Sequence, residues 1–211
     1  GVVVGAGSWG TTFAQVLADA GNDVVIWANK EATATSITRD HVNRTSPPGI
    51  ELSSRITATT DLRAALTGAG IIVVALPSQI VREVLTPYRG EVPAEAVVVS
   101  LMKGVELGTD ERMSQVLAGM WGLPASRVAV VSGPNLAGEI ALKQPTTTVV
   151  ACEDEAVALR VAQACSTPYF RTFTATDVIG VEIGGAVKNV IALAVGIAQG
   201  LGYGDNTMAS I

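Results

Sequence analysis

The chain has 211 residues, 48% of them hydrophobic and only 16% charged, enough for one large domain or one domain and part of a second. A net charge of −5 and the lack of any basic cluster exclude nucleic acid as the main partner. The two cysteines, Cys152 and Cys165, have neither metal-ligand nor disulfide-framework spacing and imply a reducing, cytoplasmic setting.

Val2, Val3 and Val4 form a β-branched run of the kind that makes a parallel strand buried on both faces. Gly5, Gly7 and Gly10 follow at G-x-G-x-x-G spacing, and Phe13, Val16, Leu17 and Ala20 then recur at helical intervals. Strand, glycine pattern and helix in that order predict a dinucleotide site. Gly5 makes the tight turn, Gly7 admits a pyrophosphate to the backbone, and Gly10 lets helix and strand pack closely. The free N–H groups at the helix start face the anion. Trp9 either packs beside the cofactor or staples the helix. Gly21-Asn22 stops that helix, and Asp23 to Trp27 reads as the second strand. An acid at its tip would bind the ribose 2′-hydroxyl of NAD. Asn29 stands at that position and Lys30 can neutralise a 2′-phosphate, which favours NADP over NAD, while Glu31 keeps NAD open.

A helix is expected over 31–40, then a polar connection from Val42 to Ser54 containing Pro47, Pro48 and Gly49. His41, the single histidine, has no carboxylate or serine constellation and reads as surface. A short strand at Ile56–Ala58 and a helix from Asp61 to Leu66 come next. The strand Ile71–Ala75 is cut off by Pro77, and Ser78 is placed to cap a helix carrying Val81, Val84 and Leu85. Ala96–Leu101 and Val128–Val131 are further strands, with a helix at Met113–Met120 between them. Gly133 as cap and Pro134 at the first helical position predict a helix to about Leu142. A strand at Thr146–Ala151, a helix at Glu155–Ala164 and a strand at Tyr169–Phe173 complete an alternating βαβ pattern. Residues 1–176 therefore read as an α/β dinucleotide-binding domain with a Rossmann-type, doubly wound, mostly parallel sheet. Asp61, Asp110, Glu111, Glu153, Asp154 and Glu155 fall at expected helix starts, where the helix dipole accounts for them.

From Asp177 the alternation stops. A long apolar helix runs to about Ala198, Gly200, Gly202 and Gly204 break it, and Asp205-Asn206 opens another. Residues 177–211 thus read as the beginning of an all-helical C-terminal domain. Glu182, Lys188 and Asn189 near the middle of the long helix favour a buried domain helix over a spanning one, so no stable membrane insertion is expected. The chain opens inside a strand and closes in mid-element, so further sequence is expected on both sides.

Two lysines carry candidate chemistry. Lys103 lies just past the carboxyl end of a strand, the edge that lines the ligand crevice of such sheets, where a cation can hold an anion or position a carbonyl. Lys188 lies in Gly184-Gly185-Ala186-Val187-Lys188-Asn189, within an otherwise aliphatic helix. A buried ammonium is costly unless paired, and desolvation brings its pKa toward the working pH, where it can exchange a proton with an alcohol or carbonyl. A snorkelling lysine is the alternative. No metal-ligand set stands out.

These motifs in this order resemble the bacterial-type NAD(P)-dependent glycerol-3-phosphate dehydrogenases. The matching landmarks are Gly5-Ala6-Gly7-Ser8-Trp9-Gly10, Leu76-Pro77-Ser78-Gln79, Lys103-Gly104-Val105-Glu106, Ser132-Gly133-Pro134-Asn135 and Gly184-Gly185-Ala186-Val187-Lys188-Asn189-Val190. The resemblance implies hydride transfer between dihydroxyacetone phosphate and sn-glycerol 3-phosphate, feeding glycerophospholipid synthesis. It assigns catalysis to Lys188, supported by Asn189, with Lys103 touching both substrate and cofactor. Gly133 and Asn135 fall on the substrate side, with Lys103 and Lys188. Ser8, Trp9, Asn29, Lys30, Pro77 and Ala137 fall on the cofactor side with the three glycines. It also implies a homodimer for the full-length protein, and a helical second half whose aspartate and Arg-Asn pair grip the substrate. A chain ending at Ile211 is expected to bind cofactor with little turnover. Where the family carries an aromatic-Leu-Pro-Gly segment, this chain has Ser46-Pro47-Pro48-Gly49. A β-hydroxyacid dehydrogenase of similar architecture, or a non-catalytic dinucleotide-sensing module, are the competing readings.

Overall fold

The computed structural model describes residues 1–45 and 49–211, so all of the Ser46-Pro47-Pro48-Gly49 departure except Gly49 lies outside it. The first half runs β1 (Val2–Val4), α1 (Ser8–Asp19), β2 (Val24–Trp27), α2 (Glu31–Asp40), β3 (Ile56–Thr59), α3 (Leu62–Leu66), β4 (Ile71–Val74) and α4 (Val81–Leu85). Then come β5 (Val97–Ser100), α5 (Met113–Trp121), β6 (Val128–Ser132), α6 (Ala137–Ala141), β7 (Thr146–Ala151), α7 (Glu155–Cys165) and β8 (Phe170–Ala175). Two helices close the chain, α8 (Val178–Gly200) and α9 (Asp205–Ser210).

The eight strands form one sheet in the order β3-β2-β1-β4-β5-β6-β7-β8. All neighbours are parallel except β6 and β7, which run antiparallel with Val130 opposite Ala151. Strand order reverses between β1 and β4, which opens a crevice at the carboxyl edge there. Alternate residues of a strand face opposite layers, and here both layers are apolar. Val3, Val73 and Val99 pack with Phe13, Val16 and Leu17 of α1 and with α7. Val2, Val4, Ile72, Val74 and Val98 pack with Leu62, Leu66, Met113 and Leu117 on the other face. Trp9, Phe13 and Phe170 form an aromatic cluster with centroids 5.5 to 6.4 Å apart, fixing α1 over the sheet.

The structure corrects several local expectations. Helix α6 begins at Ala137, not Pro134, because Asn135 N–H closes a tight turn onto Gly133 O at 2.8 Å. Ser78 does not cap α4; Ile80 holds that position, and the Ser78 hydroxyl lies against Gly104. His41 is not a plain surface residue. It is half-buried at the left-handed end of α2, with φ 52° and a buried Nδ1 that has no partner among the described residues. Asp61 and Asp154 do cap α3 and α7, but Asp110 sits at φ 58° and Glu111 pairs with Arg82. The largest correction concerns α8, of which only Val178, Glu182 and Ala198 are buried. Its first turns rest on Val130 and Ala151, yet Val190 is 68% and Leu193 65% exposed. Beyond Gly185 little among the described residues except α9 packs on the helix, so the expected burial is missing. By length and composition alone, α8 is long and apolar enough to cross a membrane.

Candidate active site

The glycine turn after β1 is built as the spacing requires. Gly5 has φ +118°, and a Cβ there would stand 2.6 Å from Ala75 O. A Cβ at Gly10 would stand 2.1 Å from Gly5 O, so α1 can seat on the strand only with glycine at that position. At Gly7 nothing lies within 4 Å of the Cβ position. That space adjoins the first turn of α1, whose leading N–H groups lack intrahelical acceptors and which carries no acidic side chain. A cleft of about 430 Å³ runs from Gly5 and Gly7 past Asn29 and Lys30 to Pro77. Size, apolar walls and open N–H groups suit the adenosine and diphosphate of a dinucleotide. Glu31 is turned away: it accepts from Thr60 Oγ1 at 3.0 Å and does not line the cleft.

Other residues assigned to the cofactor side do not line this cleft. Ser8 is exposed. Trp9 packs edge-on to Phe13, the stapling arrangement. Ala137 opens α6, and its carbonyl accepts from Thr12 Oγ1 at 3.4 Å.

A second cluster forms beyond β5 and β6. Lys103 Nζ donates to Gly133 O at 3.0 Å. Burial, and then the charge of nearby Lys188, hold the Lys103 ammonium below the usual lysine range. The burial expected of Lys188 falls on Lys103 instead. Lys188 is exposed, because the described residues leave its face of α8 uncovered. It nevertheless lines a cavity of about 420 Å³ with Ser132, Gly133, Gly184 and Gly185. Gly185 explains how α8 comes so close, since a Cβ there would lie 2.6 Å from Ser132 Oγ. Asn135 Nδ2 donates to Thr148 Oγ1 at 3.0 Å, while its buried Oδ1 has no partner among the described residues. Asn189 is exposed and outside that lining. Among the described residues no group of three or more His, Cys, Asp or Glu gathers as a metal site.

Three supports escaped the sequence reading. Gln79 bridges the loop after β5, donating to Val105 O at 2.8 Å and accepting from Leu107 N–H at 3.0 Å. Arg82 grips both Glu106 oxygens at 2.8 Å and Glu111 at 2.9 Å. These bonds, with a third from Thr109, hold the Glu106 carboxyl at about 2. Glu182 of α8 accepts from Ser114 N–H at 2.8 Å, from Ser114 Oγ and from Arg112, tying the helix to the start of α5. Gln79 and Glu106 stood in motifs, but nothing in their spacing announced that Gln79 would bond Val105 and Leu107 or that Glu106 had a partner 24 residues earlier.

A doubly wound sheet with an open glycine turn at its switch point defines a Rossmann-type dinucleotide-binding protein. The chain belongs to the NAD-dependent glycerol-3-phosphate dehydrogenase family: the family's N-terminal model matches residues 2–158 and its C-terminal model residues 177–211. It is 53% identical over 210 residues to the glycerol-3-phosphate dehydrogenase [NAD(P)+] of Thermobifida fusca, covering 99% of this chain and 62% of that protein. The glycerol-3-phosphate dehydrogenase structure from Coxiella burnetii superposes with a TM-score of 0.86 at 33% identity, over 99% of this chain and 63% of the other. The structure of the Saccharomyces cerevisiae enzyme gives 0.89 at 29% identity, over 99% and 65%. The chain thus spans under two thirds of the length of these relatives.

Proposed function

We propose that this chain forms the cofactor half, and opens the substrate half, of an enzyme interconverting dihydroxyacetone phosphate and sn-glycerol 3-phosphate. The carrying observation is the meeting of Lys103, from the loop after β5, with Lys188, from α8, beside the cavity lined by Ser132, Gly133 and Gly185. A sensor of dinucleotide has no need of two amines there. Bound NAD(P)H supplies the hydride. Lys188, on the flank of the cavity, gives a proton to the ketone oxygen in reduction and takes it from the hydroxyl in oxidation. Lys103, anchored by Gly133 O, holds the oxygen-rich substrate against that amine, and the spare Asn135 Oδ1 accepts a substrate hydroxyl. Asn189 supports Lys188 in this assignment.

Gly5, Gly7, Ser8, Trp9, Gly10 and Ala137 take the diphosphate side, and Asn29, Lys30 and Pro77 the adenosine side. With Lys30 on the cleft and Glu31 bonded to Thr60, a 2′-phosphate finds a cation and no opposing acid, which favours NADP. The division of labour falls at Thr176–Asp177, where sheet gives way to α8. The reading places the protein in the cytoplasm, as a homodimer with a helical second half, supplying glycerophospholipid precursors. Helix α8 serves as a core helix there rather than a membrane span, consistent with the Glu182 tie to α5.

The test follows NADPH oxidation by the intact protein with dihydroxyacetone phosphate and with a β-keto acid. Turnover of the phosphate ester alone is expected. Turnover of the β-keto acid alone overturns the substrate, and cofactor binding without either turnover restores the sensing module.

A further inference from the structure

We infer that Asn43, in the polar loop after α2, is a positioning residue that sets the direction of the phosphate-binding backbone. This rests on the dinucleotide reading of the glycine turn and adds a residue from outside it. Asn43 is 1% exposed, and its amide is oriented by partners of fixed polarity. Nδ2 donates to Ala6 O at 2.9 Å and to Thr11 Oγ1 at 2.8 Å. Oδ1 accepts from Thr45 N–H at 3.1 Å and Thr45 Oγ1 at 2.7 Å. One side chain therefore ties the glycine turn, the first turns of α1 and a residue lining the cleft.

The tie to Ala6 has a consequence for Gly7. The peptide between them is planar and trans, so its C=O and N–H point in opposite directions. With the Ala6 carbonyl drawn toward buried Asn43, the Gly7 N–H is directed away from Asn43. A Cβ built on Gly7 would likewise meet no atom within 4 Å, so the backbone is uncovered at this residue, and no hydrogen bond within the described residues occupies its N–H. Gly7 on one side of this peptide would otherwise leave it freer to rotate, because glycine accepts either sign of φ. Asn43 thus removes a rotation that binding would have to freeze, and presents a preformed donor to the diphosphate.

The experiment titrates NADPH into the parent chain, Asn43→Ala and Asn43→Asp, and follows the Gly7 amide by NMR as ADP is added. The parent is expected to bind, with a large Gly7 shift. Asn43→Ala is expected to bind about tenfold more weakly, the loss of one such preorganised bond, with the shift reduced. Asn43→Asp, which sets a carboxylate against the Ala6 carbonyl, is expected to bind more weakly still. A role in folding alone lowers the urea midpoint but leaves affinity and the Gly7 shift of the folded protein unchanged. Folded Asn43→Ala that binds within twofold of the parent and keeps the shift overturns the inference. If both variants unfold, Thr11→Val, which removes one of the two acceptors, decides: weaker binding with a smaller shift upholds it and parental binding overturns it. A parent that binds neither NADPH nor ADP overturns the dinucleotide reading itself, and is told apart by failing before any substitution is made.

Discussion

At the scale of single residues, the two candidate lysines differ in burial, and not in the expected sense. Lys188 was expected to be sunk in an aliphatic helix, and it is exposed; Lys103 is the half-buried, anchored amine. Proximity is what survives from the expectation: Lys103 feels the charge of Lys188 and bonds Gly133, which lines the same cavity as Lys188. Lys188→Ala in the intact protein is expected to lower kcat by about a hundred- to ten-thousand-fold, the range for removing a positioned acid–base group. NADPH affinity should stay within twofold, since the glycine cleft does not include this residue. Steady-state kinetics beside a fluorescence titration checks both halves. Unchanged kcat would transfer the proton to another group, with Lys103 the nearest candidate.

Among elements, the loop after β5 is the instructive case. Lys103 leaves the strand on a segment with little regular structure, so its place depends on side-chain ties from the loop after β4 and from α4. Gln79 imitates a strand partner by bonding Val105 O and Leu107 N–H, and Arg82 clamps Glu106 and Glu111. Because the Glu106 carboxyl is held at about 2 against an ordinary 4.5, its contribution is complete above about pH 4.5 and fades as pH falls toward 2. Glu106→Gln is therefore expected to lower the Tm near neutrality, with the gap to the parent closing between those two values. A thermal scan across pH 2 to 7 reads it, and a gap independent of pH removes the charge from the account. Arg82 is 42% exposed, so solvent screening keeps the gap modest. Elements themselves were legible: aliphatic runs and helical spacing place every strand and helix within a few residues. The start of α6 was missed because Pro134 is compatible with a helix start and with the turn that Asn135 closes.

At the scale of the molecule, α8 presents an apolar face with no cover among the described residues. Val190, Leu193 and Ile197 are each more than half exposed, a continuous strip of a kind that ordinary surfaces rarely carry. The 211-residue chain, expressed alone, is expected to bind a hydrophobic dye and to associate as concentration rises. Val190→Asp with Leu193→Asp should remove most of the dye signal and leave the unfolding midpoint nearly unchanged, because neither side chain packs on the sheet. A signal that survives both substitutions would place the exposed apolar surface elsewhere.

Sequence alone determined what depends on neighbours along the chain: the glycine turn, the valine-rich strands, the change from βαβ alternation to helix at Asp177, and the choice of Asn29 and Lys30 at the second strand's tip. These are short-range or periodic requirements, written where they act. Tertiary structure alone decided which distant groups meet: Asn43 with Ala6, Glu182 with Ser114, Lys103 with Lys188, and which lysine is desolvated. Burial and pairing depend on what packs from other parts of the chain, and no local pattern of residues encodes the identity of that neighbour.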